Sequence, residues 1–174
     1  TFSFYQGQST DLIDRIKEDK LDFAFCPFFE AEGITSTPLY SQEIFLVVPS
    51  SHPIASKKNV NIIDVAKEKF ALISKGTNLR RIIDEVFESK DVMPEVVFEG
   101  EECNSLAFFV ASEYGFSFLP KISSLEGYKL SYLRLNQLPI YRTIYLVWKQ
   151  DGNMTRLGEV FKTKLKGIFP LPLQ

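Results

Sequence analysis

The sequence predicts an α/β protein of two lobes, and three observations carry that expectation. Residues 70–88, FALISKGTNLRRIIDEVFE, read as a buried strand, a glycine turn and an amphipathic helix. The same strand-turn-helix order recurs in both halves of the chain. Between them, residues 49–58, PSSHPIASKK, combine two prolines with small polar residues, the composition of a hinge or crossover. The expected first lobe takes residues 1–48 and 146–174, and the second takes residues 49–145.

Taken in order, residues 1–5 alternate like a strand with Phe2 and Phe4 on one face, and Thr10 is placed to cap a helix carrying Leu12, Ile13 and Ile16. Residues 21–25, LDFAF, return as a strand expected to lie parallel to the first, as in a β-α-β unit. Residues 30–41 read as loop, and residues 43–48, EIFLVV, as a strand closed by Pro49. Asn61 can cap a short helix with Ile62, Ile63 and Val65. Beyond the central helix come a strand at residues 95–99, a polar turn, a helix with Leu106, Phe109 and Val110, and a strand at 116–119 ended by Pro120. A brief helical turn at 121–125 and a strand at 130–135 follow, and residues 141–149, YRTIYLVWK, form a long strand that carries the chain back to the first lobe. Asn153 starts a last helix whose Leu157, Val160, Phe161, Leu165 and Ile168 make a continuous apolar face expected to dock on the sheet.

Composition narrows the function. The chain has 174 residues, 45% hydrophobic and 24% charged, with a net charge of −2, which suits a globular domain and not a disordered one. No run of lysine and arginine could neutralise a phosphate backbone, so DNA binding is not expected from this region. No apolar run approaches the ~20 residues of a membrane span, and the start lacks the basic-then-apolar order of a signal peptide. Two cysteines, Cys26 and Cys103, support neither a disulfide framework nor a zinc site, which fits a reducing cytoplasm. The single histidine, His52, stands in a Ser-His-Pro turn with no nucleophile or orienting acid nearby, so catalysis is not expected. No metal or cofactor is expected either.

The binding chemistry concentrates in the turns. Ser74, Lys75, Gly76, Thr77 and Asn78 lie where a strand gives way to a helix, at the sheet edge where free backbone amides receive anionic or polar ligands. Ser74 and Thr77 can also simply cap the helix, and the two roles are compatible. Arg80 with Asp84 and Arg81 with Glu85 are i,i+4 pairs expected on a solvated face, each contributing about 0.2 to 0.5 kcal/mol. Near the second helix start, Cys103, Asn104 and Ser105 are candidates for the same ligand, against ordinary capping for Asn104 and Ser105. A thiol at a helix start can also be redox-active, whereas Cys26, beside Pro27, reads as a buried structural thiol. Phe28 and Phe29 can line a cleft mouth and Trp148 can offer a ligand platform, but packing is the default reading for all three.

The helix and Leu-Asp-apolar strand of residues 12–25, the VVPSSHPIA of residues 47–55 and the FVASEYGFSFLP of residues 109–120 together resemble the effector-binding domain of LysR-type transcriptional regulators. The resemblance covers nearly the whole chain, which enters at the family's second strand, so that the family's first strand and helix lie outside it. It implies a type 2 periplasmic-binding-protein-like fold, two Rossmann-like lobes joined by crossover strands. It further implies a small, anionic metabolite received between the lobes, a homodimer or higher homo-oligomer with apolar surface on the helix of residues 10–19, and DNA binding only through an N-terminal domain absent here. The family often has glycine where Glu113 stands, so the helix end there is expected to differ. A solute-binding receptor of transport type is the alternative, and an enzyme on the same scaffold would need a convergent acid, base or cofactor lysine that the sequence does not present.

Overall fold

A computed structural model describes residues 3–27, 31–136, 139–152 and 154–169. It divides into two compact units, residues 1–42 with 142–174 and residues 43–141, so the chain passes from one to the other inside two of its long strands.

In the first unit, helix α1 (Ser9–Lys17) packs Leu12, Ile13 and Ile16 on strand β1 (Ala24–Pro27), whose Ala24 and Cys26 are buried with Val147. Strand β1 pairs antiparallel with strand β8 (Ile140–Lys149), with Ala24 opposite Val147 and Pro27 opposite Ile144. Of the expected parallel partner at residues 1–5, the described part forms no strand: residues 3–8 are irregular, Phe4 is exposed, and Tyr5 lies instead under the Arg15 guanidinium, 3.7 Å from ring centroid to carbon. Alternation without a neighbouring ladder leaves backbone groups to water, and nothing then holds the segment extended. Thr1 and Phe2 lie outside the described residues, as do Phe28, Phe29 and Asn153. Thr10 does not cap α1, because the cap position falls on Gln8, whose side chain makes no capping bond.

Strand β2 (Ile34–Pro49) is longer than expected, since residues 34–41, read as loop, run on as strand beside β8. Leu39 is wholly buried there, and the Ser41 and Thr143 hydroxyls bond across the pair at 2.8 Å. Helix α5 (Arg156–Ile168) is capped by Thr155, which accepts from the Gly158 amide, and not by Asn153. Its apolar face docks only in part. Leu165 is buried and Phe161 packs on Phe23, but Leu157, Val160 and Ile168 are exposed.

The second unit holds the larger core. Residues 44–47 of β2 pair antiparallel with strand β6 (Ser117–Pro120), and residues 46–49 with strand β7 (Leu130–Leu135), which also pairs in parallel with strand β3 (Asn59–Val60). Residues 49–58 lie wholly within this unit, where a 3-10 turn at Pro53–Ser56 is capped by His52 Nδ1. Asn61 caps helix α2 (Ile62–Val65) as its position predicted. Strand β4 (Lys69–Ile73) is buried from Phe70 onward and pairs in parallel with strand β5 (Glu95–Gly100). Helix α3 (Asn78–Glu88) joins them; of the apolar stripe that its periodicity predicts, Leu79, Ile83, Val86 and Phe87 are buried and Ile82 is half-buried. Helix α4 (Cys103–Ala111) then leads from β5 to β6 and buries Leu106, Ala107 and Val110. Phe70, Phe87, Phe116 and Phe118 form one aromatic cluster, with ring centroids 5.2 Å apart between Phe70 and Phe87. Such burial contributes about 1.5 to 3 kcal/mol per large apolar side chain.

The end of α4 departs from what its sequence favours. Glu113 sits at φ 63°, a left-handed conformation that glycine adopts without cost, and its carboxylate accepts from the Ser51 hydroxyl. Gly115 has no substitute: a Cβ there would stand 2.5 Å from the Lys69 carbonyl oxygen. Close backbone approach lets the Phe116 amide bond that same oxygen at 2.8 Å and lets β6 begin beside β4.

Candidate functional site

The two predicted turns leave from adjacent strand ends. Ile73 lies opposite Gly100 in the parallel pair, and the Ser74 amide donates to the Gly100 carbonyl at 2.9 Å. Residues 74–78 and 103–105 thus start from neighbouring carboxyl-terminal strand ends, about 4.8 Å apart, in the second unit. Ser74, Thr77 and Asn78 are half-buried, as is Cys103, while Lys75, Gly76, Asn104 and Ser105 are exposed. Gly76 turns at φ 84°, which any side chain would resist.

The first turn is fully organised. Thr77 Oγ1 accepts from the Arg80 amide at 3.2 Å and donates to the Ser74 carbonyl at 3.1 Å, closing the turn and capping α3 together. The second turn is not. Glu102 holds the cap position of α4 without a side-chain capping bond, and neither Asn104 nor Ser105 supplies one. Ordinary capping therefore does not account for those two polar side chains. Among the described residues the backbone amides of Asn78, Leu79, Asn104 and Ser105 have no hydrogen-bond acceptor. Four donors at two helix starts suit a carboxylate or another small oxyanion.

Arg80 corrects the sequence reading. It is not on a solvated face but is 4% exposed, with Nη1 donating to the Ile73 carbonyl at 3.1 Å and to Glu99 at 2.7 Å, and Nε donating to Asp84 at 2.8 Å. Burial alone would lower its pKa, but the bonds to Glu99 and Asp84 outweigh that and raise it. The same Arg80 contact holds the Glu99 carboxyl below its ordinary value, with a further contribution from Lys75. Arg81 pairs with Glu85 as expected, with both side chains exposed. Sequence inspection missed Glu99, which belongs to another strand. The available signal was its position at the end of β5, next to the second turn. Lys75, Arg80, Asp84 and Glu99 also line a groove of about 570 Å³ with Met93 and Phe98.

The remaining candidates separate cleanly. Cys26 is buried, and burial pushes its thiol up to about 11, consistent with a structural role. His52 packs edge-on against Phe116 at 4.9 Å while capping its turn. Trp148 packs in the first unit with Lys162 Nζ 5.1 Å above its ring. Among the described residues no group of three or more His, Cys, Asp and Glu is placed to hold a metal, and no helix is long and apolar enough to cross a membrane.

Comparison with known proteins gives a consistent set. Residues 1–167 match the family described as LysR substrate binding domain. The HTH-type transcriptional regulator YybE of Bacillus subtilis is 34% identical over 163 residues, 93% of this chain and 56% of that protein. The transcriptional dual regulator GltC of the same organism is 28% identical over 127 residues, 72% of this chain and 42% of its own length. The chain spans about half the length of the curated relatives it matches. Among solved structures, the effector binding domain of QuiR in complex with shikimate aligns with a TM-score of 0.88 at 32% identity, covering 97% of this chain and 81% of that one. The Synechocystis CcmR regulatory domain aligns with a TM-score of 0.84 at 19% identity, covering 95% and 82%, which bears on the fold alone.

Proposed function

Because the chain belongs to the family of LysR substrate-binding domains, with their type 2 periplasmic-binding-protein-like fold, we propose that its ligand-sensing site is the corner formed by residues 74–78 and 103–105. The parent protein is a DNA-binding transcriptional regulator in this reading, and the ligand is a small anionic metabolite. The names of the relatives, transcriptional regulators throughout those cited above, support a regulator over a transport receptor or an enzyme. DNA is contacted only through a domain outside this chain, the regulator is cytoplasmic and acts as a homodimer or higher homo-oligomer, and this region performs no catalysis. An oligomer contact through an apolar face of α1 is not part of the proposal, since Leu12, Ile13 and Ile16 are all buried within their own unit.

One observation carries the site assignment: two helix starts leave from adjacent parallel strands, and the amides of Asn78, Leu79, Asn104 and Ser105 have no acceptor among the described residues. Lys75 supplies a positive charge beside them, and Ser74, Asn78, Asn104 and Ser105 supply neutral polar groups. The shikimate complex of a neighbour at 32% identity makes a hydroxylated cyclic carboxylate the first probe. Binding changes transcription only if the ligand has unequal affinity for two arrangements of the protein.

The test is calorimetric titration with shikimate and then a panel of small carboxylates, on wild type, Ser74→Ala and Thr77→Ala. Ser74→Ala is expected to weaken binding about tenfold or more, the scale of one lost hydrogen bond to a charged group, and Thr77→Ala, whose hydroxyl proton is spent on the Ser74 carbonyl, is expected to weaken it by loosening the capped turn, with circular dichroism unchanged. Identical titration curves for all three proteins remove these residues from the site.

A further inference from the structure

We propose that Arg80 is a positioning residue of the ligand site, a clamp that sets the first turn against the second. The inference rests on the reading of this corner as the ligand site, and its geometry stands apart from any ligand. One guanidinium reaches three elements: the last carbonyl of β4 at Ile73, the Glu99 carboxylate near the end of β5, and Asp84 one turn along α3. Its own backbone amide receives the Thr77 cap. The side chain is therefore attached to both strand ends from which the turns depart.

A pure stability role explains this arrangement poorly. A buried ion pair costs desolvation, and a well-packed apolar side chain of similar volume often serves stability as well or better. What the guanidinium adds is direction. Its planar fork fixes the angles of three bonds at once, which a lysine ammonium or an apolar chain cannot do. Bonds at 2.7, 2.8 and 3.1 Å leave little freedom for Ile73 to move relative to Glu99. Ser74 and Gly100, the next residues of each strand, are joined by the amide bond at 2.9 Å, so the clamp and the ladder act at the same place. The four unsatisfied amides then keep a constant spacing before any ligand arrives, and preorganisation of that kind lowers the entropic cost of binding.

Two-dimensional amide NMR of the 174-residue chain tests the clamp without a ligand. Glu99→Gln is expected to shift the amides of Gly76, Thr77 and Asn78 as well as those of its own strand. In an Arg80→Met background the same change is expected to leave residues 76–78 still. Lowering the pH supplies a second readout: the charges facing Glu99 are Arg80 and Lys75, with Asp84 sharing the guanidinium. The Gly76 amide is expected to report a carboxylate titration in wild type, and the report is expected to shrink several-fold in Arg80→Met, where of these two cations only Lys75 still faces Glu99. Arg80→Lys, which retains the charge, replaces Arg80→Met in both comparisons should the latter not fold. Equal shifts at residues 76–78 with and without Arg80 would overturn the clamp. With shikimate as probe, Arg80→Lys is expected to bind at least tenfold more weakly than wild type at unchanged fold, and equal affinities also count against the clamp. A wild type whose corner amides ignore shikimate and the carboxylate panel contradicts the ligand-site reading alone, while the coupling between Glu99 and Gly76 still decides the clamp.

Discussion

The two turns of the corner share an architecture and differ in how firmly they are held. The turn at Gly76 has a hydroxyl cap from Thr77, a left-handed glycine and a buried arginine behind it. At Cys103 the second turn has an acidic residue in the cap position with no capping bond, and exposed Asn104 and Ser105. Helix α3 is strongly two-faced, whereas α4 carries apolar side chains on both faces, with Leu106 buried and Phe108 exposed. One strand-turn-helix unit is locked by its own side chains while its neighbour keeps polar groups unspent. For the proposed ligand site that division means that one wall supplies fixed geometry and the other can adapt to what arrives.

The largest expected contrast is in packing. Phe87→Ala, which removes a buried ring from the aromatic cluster, is expected to destabilise by about 3 to 5 kcal/mol. Phe108→Ala, at an exposed position of α4, is expected to stay within about 0.5 kcal/mol. Chemical denaturation of both variants checks the pair, and similar losses would mean that the two helices are equally anchored. Next comes Arg80→Ala. Breaking a buried ion pair costs about 3 to 5 kcal/mol when it strands a charge. The remaining carboxylates of Asp84 and Glu99 are 40% and 39% exposed and can turn to water, so about 2 kcal/mol is expected here.

Smaller effects sharpen the asymmetry of the caps. Thr77→Ala is expected to cost about 1 kcal/mol, whereas Glu102→Ala costs close to nothing because Glu102 makes no capping bond. Glu102→Ser, by adding the missing cap, is expected to raise the thermal midpoint, and a fall would show that the α4 start cannot accept a cap. The acid limb gives the smallest signal. Glu99 has a folded pKa held below the 4.5 of an ordinary glutamate, so its stabilisation is complete above that value and is lost as the pH falls from there toward the depressed folded pKa. Urea midpoints measured down this range are expected to fall less steeply for Glu99→Gln than for wild type.

Much of the fold around the two turns was legible because its signals are local. The apolar run before Gly76, the amphipathic pattern after it and the short strand at 116–119 closed by Pro120 each report on residues a few positions away. The burial of Arg80 was not legible, since its i,i+4 neighbour Asp84 accounts for the charge on one helix while the second partner, Glu99, comes from β5. Residues 34–41 looked like loop because Thr, Ser and Pro dominate them, yet a neighbouring strand satisfies their backbone and Leu39 is buried. Residues 3–5 erred in the other direction, since alternation was present and no strand pairs with them among the described residues. Strand identity depends on pairing, and pairing is not written in either strand alone.

In the proposed site an anion is received by amides at two adjacent helix starts that have no acceptor among the described residues. A crystal structure of the chain with the tightest binder from a thermal-shift screen of carboxylates tests it most directly. The expected result is an anionic group within about 3 Å of the amide nitrogens near Asn78 and Asn104. A ligand seated elsewhere, with those amides still bonded only to water, would contradict it.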